Sequence, residues 1–240
     1  MTTKEKMNTH RKTARWAGIF YIIATVAPIS TIFFTGFLGG GINAREPIPN
    51  YLANVSANER QVITGVFIEL IWALAVVGIP VMLFPILKKH NEVLALGFFG
   101  LRFMEAISTI IHSIILLSLL TLSQEHAATG IPDASYFQTT GTLFLAAREW
   151  TFLIGSGFVW SLSALILNYL LYQRKLIPRW LSVWGFAGAA LSFANYLPQF
   201  FGIDSIEILF IPIAVQEMVF AVWLIVKGLN SSAIASESAE

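Results

Sequence analysis

The chain has 240 residues, 56% of them hydrophobic and 12% charged, with a net charge of +1 and a mean hydropathy of +0.70. A soluble domain carries about 25% charged residues, so this composition excludes an ordinary soluble globule and points to lipid. No cysteine is present, which excludes disulfides, thiolate metal sites and thiol catalysis; the near-neutral balance makes no case for a nucleic-acid partner.

The first fifteen residues form a basic segment, with Lys4, Lys6, Arg11, Lys12 and Arg15. The apolar run that follows, from Trp16 to Leu38, exceeds the roughly 7 to 15 residues of a signal-peptide core. No small-residue cleavage site follows it, so it reads as a retained first helix over 16–37 that ends in Gly39, Gly40 and Gly41. Five further apolar stretches have the length of about 20 residues that a bilayer requires. They predict helices over 61–87, with Pro80 bending the helix, and over 93–122, 142–172, 180–200 and 206–226. Turn formers separate them: Pro47, Pro49 and Asn50, then Gly130 and Pro132, Pro178, and Gly202. The expected fold is all-α, a polytopic six-helix membrane bundle over 16–228, with a disordered polar tail at 229–240. Asn54-Val55-Ser56 fits a glycosylation sequon, but such triplets are common by chance.

Charge in the connections sets the orientation. Eleven Lys or Arg fall on one side, in the N-terminal segment and at Lys88, Lys89, Arg174, Lys175, Arg179 and Lys227, against Arg45 and Arg60 on the other. Positive charge in short loops marks the cytoplasmic face, so both termini are expected inside. Trp16, Tyr172, Trp180 and Trp223 lie near that boundary, where amphipathic rings settle.

Seven charged or titratable residues fall within the spans: Glu69, Arg102, Glu105, His112, Arg148, Glu149 and Glu217. A charge at a helix centre costs about 2.5 kcal/mol or more on insertion scales, so these groups are expected to face one another. Helical periodicity gathers Arg102, Glu105, Thr109 and His112 into an arc of about 80°. In helix four, Glu149, Ser156 and Ser163 recur every seven residues on one face, beside the small residues Gly155 and Gly157. Depth separates two tiers. Arg102, Glu105 and Glu217 form a midplane cluster, with Arg102 and Glu105 spaced to pair along the helix. Glu69, His112, Arg148 and Glu149 lie in the outer third, where Glu69, Arg148 and Glu149 are expected to snorkel to water. Four carboxylates against two arginines leave an excess of two negative charges, which predicts a held proton or cation.

Other chemistries find little support. A zinc site needs three or four ligands, and only His112 is expected to be buried, with His10, His90 and His126 in loops or termini; no metal or other cofactor is expected. Gly155-Ser156-Gly157 has the look of a glycine-flanked nucleophile, but its base would have to be His112, and Ser156 fits better as a packing residue. Pro212, one turn before Gln216 and Glu217, either breaks helix six at a substrate site or only kinks it. Asn195, Pro198 and Gln199 end helix five. Gln216 is a secondary candidate beside Glu217.

In order and spacing, four features resemble a bacterial family of integral membrane proteins, domain of unknown function 4386. They are Arg15-Trp16-Ala17-Gly18; Arg102-Phe103-Met104-Glu105; Tyr169-Leu170-Leu171-Tyr172 through Ile177-Pro178-Arg179; and Glu217 through Trp223-Leu224-Ile225-Val226-Lys227-Gly228. The resemblance implies a six-helix inner-membrane protein without an established activity. Two readings of the buried charges stay open beside it. In one, the interior binds or translocates a small solute, lipid or proton, with Arg102, Glu105 and Glu217 as the core and Arg148 and His112 as the approach. In the other, the protein is a non-catalytic membrane partner or sensor subunit whose charges hold helices together. An intramembrane enzyme ranks third.

Overall fold

The computed structural model describes residues 3–35, 48–129 and 135–230. Among these residues there are helices and no strand, as lipid demands of a chain that must satisfy its backbone hydrogen bonds within each segment. The α-helices are α1 (Thr3–Thr35), α2 (Ile48–Ala57), α3 (Glu59–Leu87), α4 (Glu92–Thr129), α5 (Ser135–Phe152), α6 (Trp160–Gln173), α7 (Arg179–Tyr196) and α8 (Ile211–Val226). A π-helical segment, Leu153–Val159, joins α5 to α6 into one continuous rod, and two 3-10 turns, Leu197–Phe201 and Glu207–Phe210, connect α7 to α8.

Six rods close a ring. Each packs on the next in the order α1, α3, α4, the α5–α6 rod, α7 and α8, and α8 returns to α1. Helix α2 lies across one end, against α4 and α5. Four of the rods are long and apolar enough to cross a membrane: Glu59–Leu87, Glu92–Thr129, Ser135–Gln173 and Ile208–Val226. Large apolar side chains point outward along them, among them Phe67, Leu74, Phe103, Met104, Ile114 and Val222. The inward faces build two apolar cores. One gathers Tyr21, Leu83, Phe98, Leu170, Leu181, Phe220 and Leu224 at the end of the bundle that carries Lys88, Arg174 and Lys227. The other gathers Tyr51, Leu52, Val62, Leu116, Leu119 and Phe137 at the opposite end. The buried charges occupy the layer between these cores.

Several elements differ from the sequence expectation. Helix α1 already includes Lys4 to Arg15, so the basic segment is helical rather than a lead-in. Helix α2 occupies a stretch read as a loop; its ends are marked by Pro47 and by Asn58, whose side chain donates to the Asn54 carbonyl at 2.9 Å. Asn54-Val55-Ser56 therefore lies within a helix, with Val55 in the core. Helix α4 continues to Thr129, taking in Glu125 and His126. His90, assigned to a loop, is buried. Pro212 stands in the first turn of α8, where no intrahelical N–H bond is lost, so it opens the helix instead of breaking it. Leu229 packs in the core and the Asn230 amide donates to the Leu176 carbonyl at 2.8 Å, which removes both from the expected tail. Gly39 to Gly41, Arg45, Gly130 to Asp133 and residues 231–240 lie outside the described residues.

Candidate functional site

The polar stripe on α4 faces the interior. Arg102, Glu105, Thr109, His112 and Ser113 are all buried, because an otherwise apolar helix can hide a charged stripe only by turning it inward. Two clusters of charge hang on this stripe, about 10 Å apart along the axis from Glu105 to His112 at 1.5 Å per residue.

The first cluster joins α1, α4 and α8. Arg102 Nη1 donates to Glu105 Oε2 at 3.2 Å, within one helical turn. Its Nη2 lies 3.5 Å from the Tyr21 hydroxyl and 3.7 Å from Glu217 Oε1, so one guanidinium reaches across the ring to α1 and α8. The guanidinium carbon sits 5.6 Å from the Tyr21 ring centre and 5.9 Å from that of Phe98, within cation–π range. Glu217 also accepts from Thr25 at 3.4 Å, and the Trp160 indole approaches the same carboxylate. These contacts are long for charge-assisted bonds, which run at about 2.7–2.9 Å. With all three groups ionised, one cation faces two carboxylates.

The second cluster joins α3, α4 and α5, and it is tight. Arg148 Nη2 donates to Glu69 Oε1 at 2.6 Å, and its Nη1 donates to the His112 carbonyl at 2.8 Å. Ser113 donates to the other Glu69 oxygen at 2.6 Å, and His112 Nδ1 stands 3.3 Å from Oε1. Glu69 and Arg148 are both buried. They do not snorkel: Tyr51 and Leu52 of α2, with the core beneath them, close that end. Glu149 stays outside. It is half-buried and, among the described residues, makes no ion pair or hydrogen bond. Adjacent helical positions diverge by about 100°, so Glu149 cannot share the direction of Arg148.

A cavity of about 290 Å³ adjoins the first cluster. Arg102, Glu105 and Glu217 form its polar wall, and Tyr21, Trp72, Phe152, Trp160, Tyr196 and Phe210 supply aromatic faces. Arg148 and His112 are not in this wall. Glu217 is the most open of the three charges, its side chain 13% exposed against 2% for Arg102 and Glu105. Ser156 lines the same cavity from the π-helical segment. A β-carbon at Gly155 would meet the Ser108 side chain, and one at Gly157 would stand 2.7 Å from the Tyr196 ring. The two glycines thus let the widened turn fit between α4 and α7. This turn also breaks the seven-residue register expected for Glu149, Ser156 and Ser163. No hydrogen bond joins Ser156 to His112 among the described residues, and the two belong to different clusters.

The helix order, the Arg102–Glu105 turn and Glu217 ahead of the Trp223–Gly228 ending are thus parts of one architecture. A family model, domain of unknown function DUF4386, matches residues 16–228. The chain belongs to this family. No curated protein and no solved structure matches it.

The remaining candidates in this DUF4386 chain have local roles. Gln216 is buried and donates to the Leu181 carbonyl at 3.2 Å, tying α8 to α7 rather than joining the cluster one residue away. A β-carbon at Gly185 would crowd Asn168 and Gln216 together, so this glycine permits a polar contact among α6, α7 and α8. Asn195 accepts from the Ile206 amide at 2.9 Å and donates to its carbonyl at 3.2 Å, clamping the α7–α8 connection. Sequence reasoning missed Tyr21, Thr25 and Trp160 as site residues, since in an aromatic-rich chain their types stand out only once α4 and α8 are placed beside them.

Proposed function

We propose that this is a six-span protein of a bacterial inner (plasma) membrane, with both termini cytoplasmic, whose interior binds or translocates a small solute, lipid or proton. Closure of the ring supports six spans. Helices α1 and α7 complete it, and their outward Val26, Ile29, Val183, Phe186 and Leu191 are exposed apolar groups suited to lipid. The excess of Lys and Arg at one end supports the orientation. Because the chain has no cysteine, single cysteines at positions 57, 89, 175 and 204 test it directly. An impermeant thiol reagent on intact cells is expected to label 57 and 204 and spare 89 and 175; the reverse pattern sinks the orientation.

One observation carries the binding reading: two carboxylates share one arginine on the wall of a cavity. Buried charges that serve only as helix glue are expected to be balanced. This set is unbalanced where there is space for a partner. The test is a thermal-shift screen of purified protein against lipids, osmolytes, metal ions and pH. A reproducible shift that disappears in Glu217→Gln is expected; no response across the whole screen removes the reading.

The alternative is a non-catalytic partner or sensor subunit with structural charges. The Glu69–Arg148–His112 cluster favours it locally, since that set is balanced and both Glu69 oxygens are engaged. No such balance holds around Glu217, which is why the binding reading is preferred for the molecule.

A further inference from the structure

We propose that the cavity beside Glu217 takes a compact organic monocation, with an amine or quaternary ammonium head and a small apolar body. This rests on the reading of that cavity as a ligand site. Three observations select the class. The first is charge: Arg102 faces both Glu105 and Glu217 and is itself enclosed by Tyr21 and Phe98. An anion would therefore meet two carboxylates before it met a free cation, whereas a single positive head would restore neutrality. The second is access. Glu217 is the carboxylate that retains exposure, 13% against 2% for Glu105. A head entering the cavity meets Glu217 first.

The third is the wall. Trp72, Phe152, Trp160, Tyr196 and Phe210 line the cavity, and aromatic faces attract desolvated cations, quaternary ammonium heads above all. A metal ion or hydronium has no use for such a wall, and a neutral apolar molecule has no use for the uncompensated carboxylate. Size sets the upper bound. At about 30 Å³ per water molecule, a cavity of about 290 Å³ has room for on the order of ten water-sized groups. The cavity is lined along α1 as far as Pro28 and Ile29 and by Phe210, just before α8.

The test uses the full-length protein in detergent or nanodiscs, with choline as the probe. Two matched compounds accompany it: dimethylbutanol, which replaces the nitrogen with carbon, and dimethylbutanoate, which reverses the charge. Choline is expected to raise the melting temperature and to bind at least roughly tenfold more tightly than the neutral isostere, the range of a desolvated cation–π contact. Glu217→Gln is expected to abolish this preference. Ala214→Phe fills the cavity from α8 without touching a charge and is expected to abolish binding while the fold survives, so an unfolded Glu217 variant does not block the test. Equal binding of choline and dimethylbutanol overturns the cation class, as does preference for dimethylbutanoate, and either leaves the site reading standing if it needs Glu217. Failure of choline, tetramethylammonium and phenethylammonium alike also overturns the cation class. The wider ligand screen then decides the site reading separately.

Discussion

The two charged clusters share the α4 stripe and a similar list of residue types, yet they are built differently. Around Glu69 one arginine meets one carboxylate at 2.6 Å, Ser113 fills the second oxygen, and a backbone carbonyl accepts from the other terminal guanidinium nitrogen. Around Arg102 the contacts stretch from 3.2 to 3.7 Å, two carboxylates compete for one cation, and a cavity opens alongside. Intramembrane charge is therefore not one category. Balance and short bonds describe a lock, whereas imbalance, long bonds and adjoining space describe a site. Seven residues of α4 separate the two.

If the Glu69 cluster is a lock, breaking it should produce the largest loss of stability in the molecule. Arg148→Leu leaves Glu69 buried without its cation, and removing one partner of a buried pair costs about 3–5 kcal/mol. A corresponding fall in melting temperature in detergent is expected. Glu69→Leu combined with Arg148→Leu is expected to recover much of it, because apolar replacement of a whole buried pair is close to neutral. If the single variant melts like the wild type, Glu69 reaches water and the lock does not exist.

Arg102→Ala comes next. It leaves Glu105 and Glu217 without a cation, but the cavity gives Glu217 an escape to solvent, so the loss should be nearer about 1.5–3 kcal/mol, the range for hydrogen bonds to charged groups. Arg102→Lys is expected to keep the charge and most of the stability while losing the reach to Glu105, Glu217 and Tyr21 together. A loss for Arg102→Ala as large as that for Arg148→Leu would erase the distinction between the clusters. It would make both of them helix locks. Gly157→Ala probes the wall instead of the charge. Its new methyl meets the Tyr196 ring, and overpacking of this kind costs about 1–3 kcal/mol. The π-helical turn is expected to relax toward α-helix, and ligand response should fall further than stability, measured by titration at matched temperature.

Much of this arrangement was legible before any coordinates. The α4 stripe follows from helical periodicity alone, and the meeting of Glu217 with Arg102 follows from counting residues to a common depth. Depth also separates Glu69, His112 and Arg148 from the Arg102 group, although Glu149, expected with them, stays outside. Other features were not legible. Helix α2 is short and follows Pro47, so it looks like a turn, yet its Tyr51 and Leu52 cap the Glu69 end. Without that cap, Glu69 and Arg148 read as residues reaching for water. The π-helical turn adds to the helical register in a way that no residue pattern marks, apart from the two glycines that accommodate it. That turn places Ser156 on the cavity wall. The cavity itself depends on how six helices pack, a long-range property with no local signature.

Glu217→Gln should have the smallest effect on stability and the most specific effect on function. The substitution keeps the shape of the side chain and its capacity to accept from Thr25, and it removes the one charge that Arg102 cannot fully compensate. Arg102 keeps Glu105 at 3.2 Å, so the remaining pair becomes balanced, like the pair at Glu69. Stability should therefore fall much less than in Arg148→Leu, or rise. Choline dependence should vanish at the same time. Those two readouts must separate for the comparison to hold. If Glu217→Gln instead destabilises the protein as strongly as Arg148→Leu, Glu217 is itself a structural partner of Arg102, and the long contacts in that cluster are a loose lock with no ligand to wait for.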